Sequence, residues 1–202
     1  TLANLSVEGD MPDTNTTAAA GGLGGIIGQM ASFAGELNIS KSFWKGNFTD
    51  AAGLPHGGII GDMGEISAKE GADKEVNITD VFMRGDFSAT EGAKGGIIGN
   101  ITKLNDGAGA ELKNAYWYGA GINPDDGKGG IIGNIGGNSD NLTVGNTYYG
   151  ITDGTEPEGD EDGGGPSDNG ITFKSRTDFE RGEVSYLLEE GVDTDGVTWA
   201  QD

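Results

Sequence analysis

Apolar and polar residues alternate with a period of two in several parts of the chain. Leu37 and Ile39, and later Val76 and Ile78, alternate with Asn, Ser or Thr, and each segment runs on to an aromatic residue and a glycine. A period of two predicts a β-strand with one buried and one solvated face. We therefore expect these segments to be long strands.

A second pattern, Gly-Gly-Ile-Ile-Gly, is too short and too rich in glycine to form a helix, because each glycine costs about 1 kcal/mol against alanine there. It predicts a short strand that is entered and left by tight turns or close backbone contacts. The pattern occurs four times, at 24–28, 57–61, 95–99 and 129–133, with spacings of 33, 38 and 34 residues. One long strand and one short strand, joined by variable polar loops, form the predicted repeat.

A single repeat of this kind cannot bury its own apolar side, whereas stacked repeats bury a continuous core. The sequence therefore predicts an all-β fold, a right-handed parallel β-helix or solenoid of about four to five repeats, with a small helix-containing cap at the C-terminal end. A propeller is the rival, but its blades have four strands and only two are evident per repeat. Stacking would align two rows of isoleucine: Ile26, Ile59, Ile97 and Ile131 in the first, and Ile27, Ile60, Ile98 and Ile132 in the second.

The two neighbouring isoleucines of each repeat pose a problem, because adjacent residues of a regular strand face opposite ways. Either a loop or another strand covers the outward isoleucine, or the segment departs from regular strand geometry. The sequence leaves both explanations open.

The C-terminal quarter of the chain has a different composition. Residues 1–152 form the predicted solenoid, 153–170 are an acidic, glycine-rich loop or linker, and 171–202 are a cap or the start of another module. Thr177 and Glu180 fit a capping box, and Gly191 is suited to end the helix that follows. Phe179, Tyr186 and Leu187 would form its apolar stripe, and a strand-like segment follows at 197–199.

Composition excludes several classes of function. The 202 residues contain no Cys, which rules out disulfides, thiolate chemistry and Cys-ligated metals. Twelve Lys and Arg against 33 Asp and Glu give a net charge of −21, which disfavours nucleic acid and anionic membranes as partners. The longest apolar runs have four or five residues, so direct membrane insertion is not expected. The start lacks a basic, apolar leader, and we expect a processed or excised piece of a longer protein.

The residues that could carry catalysis or bind a metal are mostly better explained by structural roles. The only histidine, His56, stands just before a Gly-Gly-Ile-Ile-Gly copy, at a variable position of the repeat and expected at a turn. Asp125 and Asp126, or the acids 160–162, are candidate pairs for glycoside hydrolysis, but acids in glycine-rich loops are usually solvated. We predict no enzyme activity and no cofactor. Calcium at Asp160 and Asp162 is the alternative to a plain charged loop.

Aromatic residues recur at equivalent points of the repeats, often in adjacent pairs. Because neighbours on a strand face opposite ways, one member of each pair is a candidate for contact with a sugar or a protein. The alternative is that these side chains fill the core beside glycine. The candidate ligand-binding aromatics are Trp44, Phe82, Trp117 and Tyr149.

Together these motifs carry a resemblance to a known family. The repeated Gly-Gly-Ile-Ile-Gly, preceded at a distance by an aromatic and a glycine (43–46, 82–85 and 116–119), resembles the GLUG motif of bacterial surface proteins. That family includes large adhesins and the non-catalytic region of immunoglobulin A-cleaving metallopeptidases. The tail over 179–188 and 199–201 is similar to the segment that often follows such repeats in Bacteroidetes-type surface proteins.

The resemblance implies an exported, cell-surface or extracellular β-solenoid that serves in adhesion, or as a stalk or spacer. It implies a host protein, a glycan or neighbouring domains of the same chain as partners, and no catalytic residues. The alternative function is a glycan-active β-helix enzyme or an accessory region of a surface peptidase.

Overall fold

The computed structural model describes residues 1–11, 21–49, 53–71, 74–88, 92–122, 129–137, 139–152 and 171–191. Its strands form three sheets in which every pairing is parallel. The long sheet contains β1 (Leu2–Ala3), β2 (Ser6–Glu8), β5 (Leu37–Lys45), β8 (Val76–Arg84), β11 (Ala110–Gly119), β13 (Leu142–Ile151) and β14 (Ile171–Phe173). The middle sheet contains β4 (Ile27–Met30), β7 (Ile60–Ile66), β10 (Ile98–Leu104) and β12 (Ile135–Gly137). The short sheet contains β3 (Leu23–Gly24), β6 (His56–Gly57) and β9 (Lys94–Gly95).

In the first three repeats the chain visits the short, middle and long sheets in the same order, and the described part of the fourth repeat contributes β12 and β13 to the middle and long sheets. Equivalent strands of successive repeats are neighbours, with the order β1-β5-β8-β11-β13-β14 in the long sheet and β12-β10-β7-β4 in the middle sheet. One repeat is therefore one turn, and the predicted parallel β-solenoid, of about four turns, is confirmed. A turn has three strands, whereas the sequence pattern indicated two. The middle strand was not predicted because polar and glycine residues within β7 and β10 interrupt the alternation of apolar and polar positions.

The Gly-Gly-Ile-Ile-Gly segment is the corner between the short and middle sheets. In the second turn β6 ends at Gly57 and β7 begins at Ile60, and the N–H groups of both Ile59 and Ile60 donate to the carbonyl of Ile97, at 2.9 and 3.0 Å. Two donors on one acceptor interrupt the regular alternation, so both isoleucines are 0% exposed. The two adjacent isoleucines are therefore both buried because the segment departs from regular strand geometry.

The second glycine of each corner is in close contact with an interior side chain of the long sheet. A Cβ at Gly25, Gly58, Gly96 or Gly130 would overlap, respectively, with Trp44, Met83, Trp117 or Tyr149. At the first three positions it would also overlap with the carbonyl oxygen of the equivalent glycine one turn on. Glycine is required here because the side chain occupies the space that a Cβ would need.

Gly96→Ala is expected to lower the free energy of unfolding by about 3 kcal/mol, because neither the Trp117 Cβ nor the facing backbone can move away cheaply. Gly145→Ala is the matched control. A Cβ there would lie 3.7 Å from the Lys113 side chain, an ordinary contact. Urea unfolding of both variants checks this, and equal stabilities would contradict the role of the contact.

A bend crosses the long strands at one aligned row of residues. Lys41, Asp80, Asn114 and Asn146 all have left-handed backbone, with φ between 49° and 55°. The bend shifts the alternation of inward and outward side chains by one residue. In β5 the buried residues are therefore Ile39 before the bend and Ser42 after it. Asn and Asp tolerate this backbone better than other non-glycine residues.

Side chains of the bend row also bond from turn to turn. The Asn114 Nδ2 donates to Asp80 Oδ1 at 3.0 Å, and the Asn146 Nδ2 donates to Asn114 Oδ1 at 3.2 Å. Lys41 is the exception in this row. It has the same left-handed backbone, but a long, exposed side chain stands where the other strands have Asp or Asn.

Lys41→Asn is therefore expected to raise the free energy of unfolding by about 0.5–1 kcal/mol, since it relieves backbone strain and extends the amide row. Lys103→Asn, at an exposed position on β10, is the control and is expected to be neutral or destabilising because Asn is disfavoured in strands. Thermal unfolding distinguishes them, and a drop in stability for Lys41→Asn would contradict the argument.

The C-terminal helices differ from the sequence prediction in two ways. They are α1 (Arg176–Glu180) and α2 (Glu183–Gly191), separated at Gly182, whose φ is +81°. The capping box is formed by Ser175 and Asp178 instead of Thr177 and Glu180.

The buried stripe of these helices is also different. Its buried residues are Phe179, Val184 and Leu188, and the predicted Leu187 packs against them partly buried. Tyr186 is 58% exposed, because the break at Gly182 changes the helical phase. The strand β14 extends the long sheet, and the helices pack on the outer face of that sheet. The predicted strand at 197–199 and the acidic segment 153–170 lie outside the described residues.

Candidate ligand-binding face

The structure separates the four candidate aromatic residues. Trp44 is 1% exposed, and Trp117 and Tyr149 are 0% exposed, so the prediction that these three contact a ligand is wrong for this fold. The bend row is the reason, since it turns the second member of each aromatic pair inward against the corner glycine. The alternative of core filling is correct for these three. Phe82 lies on the outer face and is half-buried.

The first members of the pairs form a continuous row on the outside of the long sheet. Their strands are in register, so the side chains follow one another at the strand spacing, about 4.8 Å. The rings of Phe43 and Phe82 are stacked at 4.6 Å and 10°, and those of Phe82 and Tyr116 at 4.9 Å and 0°. We call this row, with the flanking row of Lys45, Arg84 and Tyr118, the aromatic face.

Stacking within the row determines which part of each ring meets solvent. Rings that lie nearly parallel along the solenoid axis cover one another's faces, so their edges point outward. The edge of an aromatic ring carries partial positive charge, and its face carries partial negative charge. The aromatic face therefore suits groups that approach ring edges, such as carboxylates, carbonyl oxygens or the face of another aromatic ring.

Two basic residues increase the positive character of this face. Lys45 and Arg84 are paired in register, and the Lys45 Nζ lies 5.3 Å from the centroid of the Phe43 ring. Arg84 is exposed. Neither residue was predicted from the sequence. A signal was present, since a basic residue precedes glycine at Lys45-Gly46 and again at Arg84-Gly85. They stand out in a chain of net charge −21.

The C-terminal helices cover the other end of the aromatic face. The Phe179 ring stacks on Tyr118 at 4.7 Å and 27°, and it is tilted by 57° against Tyr116 at 5.9 Å. Its ring also lies against the α-carbon of Gly150, where a Cβ would overlap with it. Burial beneath the helices raises the pKa of the Tyr148 hydroxyl, an effect that the charge of Lys174 partly opposes.

Polar side chains form a separate ladder on the outside of the middle sheet. Asn100 Nδ2 donates to Asp62 Oδ1 at 2.7 Å, and Asn134 Nδ2 donates to Asn100 Oδ1 at 2.7 Å. Gln29 Nε2 approaches Asp62 Oδ2 at 3.4 Å from the other side. Amides from both neighbouring turns thus surround the Asp62 carboxylate, which is a structural role. Within the described ranges, no group of three or more His, Asp or Glu residues could hold a metal ion.

Two ionisable residues of the short sheet lie in the interior. His56 is on β6 instead of at a turn and is 0% exposed, with its ring edge on Phe48 at a centroid distance of 5.5 Å. Lys94 is paired with it in register, is 4% exposed, and donates to the carbonyl of Gly121 at 3.3 Å. Burial of both side chains favours a structural role over catalysis.

Glu75 is a buried carboxylate that joins two turns. It is 1% exposed and accepts hydrogen bonds from the N–H groups of Gly109 at 2.6 Å and Lys69 at 2.8 Å. Burial raises the pKa of this carboxyl, but the N–H donors outweigh burial and hold the pKa below its ordinary value of 4.5. The ionised form is therefore favoured by the fold.

Because its pKa is lower in the folded chain, Glu75 stabilises the fold above its unfolded-state pKa, and this contribution is lost as the pH falls through the folded-state pKa. Glu75→Gln is expected to lower the free energy of unfolding by about 2 kcal/mol at pH 7 and to flatten its decline below about pH 4.5. Glu65→Gln, at an exposed position on β7, is the control. Unfolding measured from pH 7 to pH 3 checks this, and parallel curves for wild type and Glu75→Gln would contradict it.

Several predicted site residues fall outside the described part of the chain. These are the candidate acid pairs and the candidate calcium ligands: Asp125, Asp126, Asp160, Glu161 and Asp162. The corresponding hypotheses stay predictions.

No protein-family model, curated protein or solved structure matches this chain. The resemblance to the GLUG family therefore remains a prediction from the motif alone. Neither described helix has the length and apolar character required to cross a bilayer.

Proposed function

We propose that this chain is a non-catalytic binding module of a bacterial cell-surface protein and acts in adhesion through its aromatic face. The observation that supports this most directly is the row of stacked rings at Phe43, Phe82 and Tyr116 beside Lys45 and Arg84. An outward row of aromatic and basic side chains on a strongly acidic protein is a feature that interaction surfaces share. An extracellular location is part of the same proposal, because the GLUG motif is typical of bacterial surface proteins.

Adhesion is favoured over the spacer role by the dimensions of the solenoid. The long sheet has six strands in sequence along the axis, which span about 24 Å at about 4.8 Å per strand. A turn of 33 to 38 residues thus adds about 4.8 Å of length, whereas a helix adds about 1.5 Å for each residue. Such a fold gains lateral surface much faster than length, which suits display of a binding face.

The bonding of two described acids supports a non-catalytic role for them. Asp62 and Asp80 each accept hydrogen bonds from asparagine amides of a neighbouring turn, at 2.7 and 3.0 Å. These contacts hold one turn to another. A non-catalytic accessory region of a surface peptidase would share this arrangement, and its binding face would be the same.

The adhesion proposal is tested with beads coated with the protein and passed over epithelial cells, mucin and extracellular-matrix proteins. We expect retention above that of albumin-coated beads, and a loss of about tenfold for the double variant Lys45→Glu with Arg84→Glu, because charge reversal repels an anionic partner. Lys103→Glu with Lys113→Glu, which reverses two lysines outside the aromatic face, is the matched control and should retain binding. Retention no better than albumin on all three surfaces would contradict the proposal.

A further inference from the structure

The stack of turns is covered differently at its two ends. Among the described residues, β3 and β4 are the edge strands of the short and middle sheets at the N-terminal end. Ile26 and Ile27, in the corner between these strands, are only partly buried. The equivalent isoleucines of the fourth turn, Ile131 and Ile132, are 0% and 1% exposed. The interior of the solenoid is therefore closed at the C-terminal corner and incompletely covered at the N-terminal one.

We propose that the N-terminal end binds a strand-corner-strand segment of a partner protein, which adds one more parallel turn to the short and middle sheets. The partner segment carries the pattern Gly-Gly-Ile-Ile-Gly or a close equivalent. We call the surface that receives it the end face, and its residues are Leu23, Gly24, Ile26, Ile27 and Met30. The end face is separate from the aromatic face, so this inference goes beyond the proposed function.

The backbone of each corner is polar in one direction, which decides what the partner has to offer. The carbonyl of Ile59 accepts hydrogen bonds from the N–H groups of Ile26 and Ile27, at 3.1 and 2.9 Å. The same pair of hydrogen bonds recurs between the second and third turns and between the third and fourth. Ile26 takes the place of Ile59 in the first turn, so its carbonyl faces the N-terminal end. The partner therefore has to bring N–H donors to the end face.

The side chains of the end face require an apolar partner. Ile27 and Met30 are in register with Ile60 and Met63 of the next turn. Ile60 and Met63 have a turn on each side and are 0% exposed, whereas Ile27 and Met30 are partly buried. A segment with isoleucine, leucine or methionine at the same positions would bury Ile27 and Met30 in the way that every inner turn is buried.

A second copy of the chain does not meet these requirements. Its own C-terminal corner, at Ile131 and Ile132, is already buried. Two N-terminal ends that face each other would place carbonyl groups against carbonyl groups at the corner, and neither could supply the donor that the other needs. Two chains with a net charge of −21 also repel each other. The occupant is thus a segment of another protein that extends the sheets by strand addition.

The probe for the end face is a fluorescent peptide with the sequence of residues 93–105, which contains β9, the third corner and β10. Binding to the intact 202-residue chain is followed by fluorescence anisotropy at about 0.15 M salt, which screens the charge of the peptide. N-methylation of Ile97 in the peptide is expected to weaken binding about tenfold, because it removes a donor to the carbonyl of Ile26.

N-methylation of Gly99 in the same peptide is the matched control, with the same charge and the same added methyl group. The equivalent glycine of the fourth turn, Gly133, donates its N–H to the carbonyl of Ile98 in the preceding turn, at 2.9 Å. In the docked peptide the N–H of Gly99 would point away from the end face. Binding should therefore be unchanged.

Two variants of the protein test the surface from the other side. Ile26→Glu should weaken peptide binding about tenfold, because it places a carboxylate in the apolar contact. Ile135→Glu, at a partly buried position of β12 at the opposite end of the middle sheet, is the control and should retain binding. Thermal unfolding shows whether both variants fold, and the two N-methylated peptides decide the question on the unaltered chain if either does not.

Three results would overturn the proposal. The first is the absence of saturable binding by the unmodified peptide. The second is an equal loss of binding when Ile97 or Gly99 is N-methylated, because the peptide would then not pair in the direction of the solenoid. The third is a dimer in sedimentation that Ile26→Glu dissociates, which would make a second copy the occupant. Bead adhesion does not enter any of these measurements, so the proposed function and the end face can fail separately.

Discussion

The structure depends on one contact that every turn repeats, between an interior side chain of the long sheet and the α-carbon of the second corner glycine. Trp44, Met83, Trp117 and Tyr149 each lie against such a glycine. The contact brings the short sheet close enough to the long sheet for a dry interior. It explains how a chain with only 34% hydrophobic residues can bury a continuous core, since large rings and small glycines are combined in the same place.

A second constraint, the bend row, determines which aromatic residues are inside. At Asp80 and Asn114 the left-handed backbone inserts one residue between inward positions, so that the side chain next to the corner glycine is always the second residue of the pair, Met83 in β8 and Trp117 in β11. Without that shift, the aromatic residues of the outer row would point into the core. The bend therefore assigns Trp117 to the core and Tyr116 to the surface, and the candidate function with them.

The outer row is stable as a stack because parallel, in-register strands place identical positions at the distance at which rings stack. The same geometry turns ring edges outward and lines up Lys45 with Arg84. At the C-terminal end the chain covers this surface with Phe179, while Phe82 and Phe43 stay half-buried. Core packing, the surface row and the helical cover are consequences of one repeating register.

The repeat by itself determined the parallel solenoid and the stacking of the isoleucine rows, because a pattern that recurs at similar spacing has to satisfy the same contacts in each turn. The presence of helix near the C-terminus was determined by local capping and stop signals. The sequence did not determine which aromatic of each pair faces inward, since that depends on the backbone angle at Lys41, Asp80, Asn114 and Asn146. Nor did it determine that Phe179 covers Tyr118, or that Ser175 caps α1 in place of Thr177. The inward choice and the Phe179 contact depend on packing between residues far apart in the chain, about which local periodicity contains no information. The cap is a local choice between two overlapping patterns, Ser175 with Asp178 and Thr177 with Glu180.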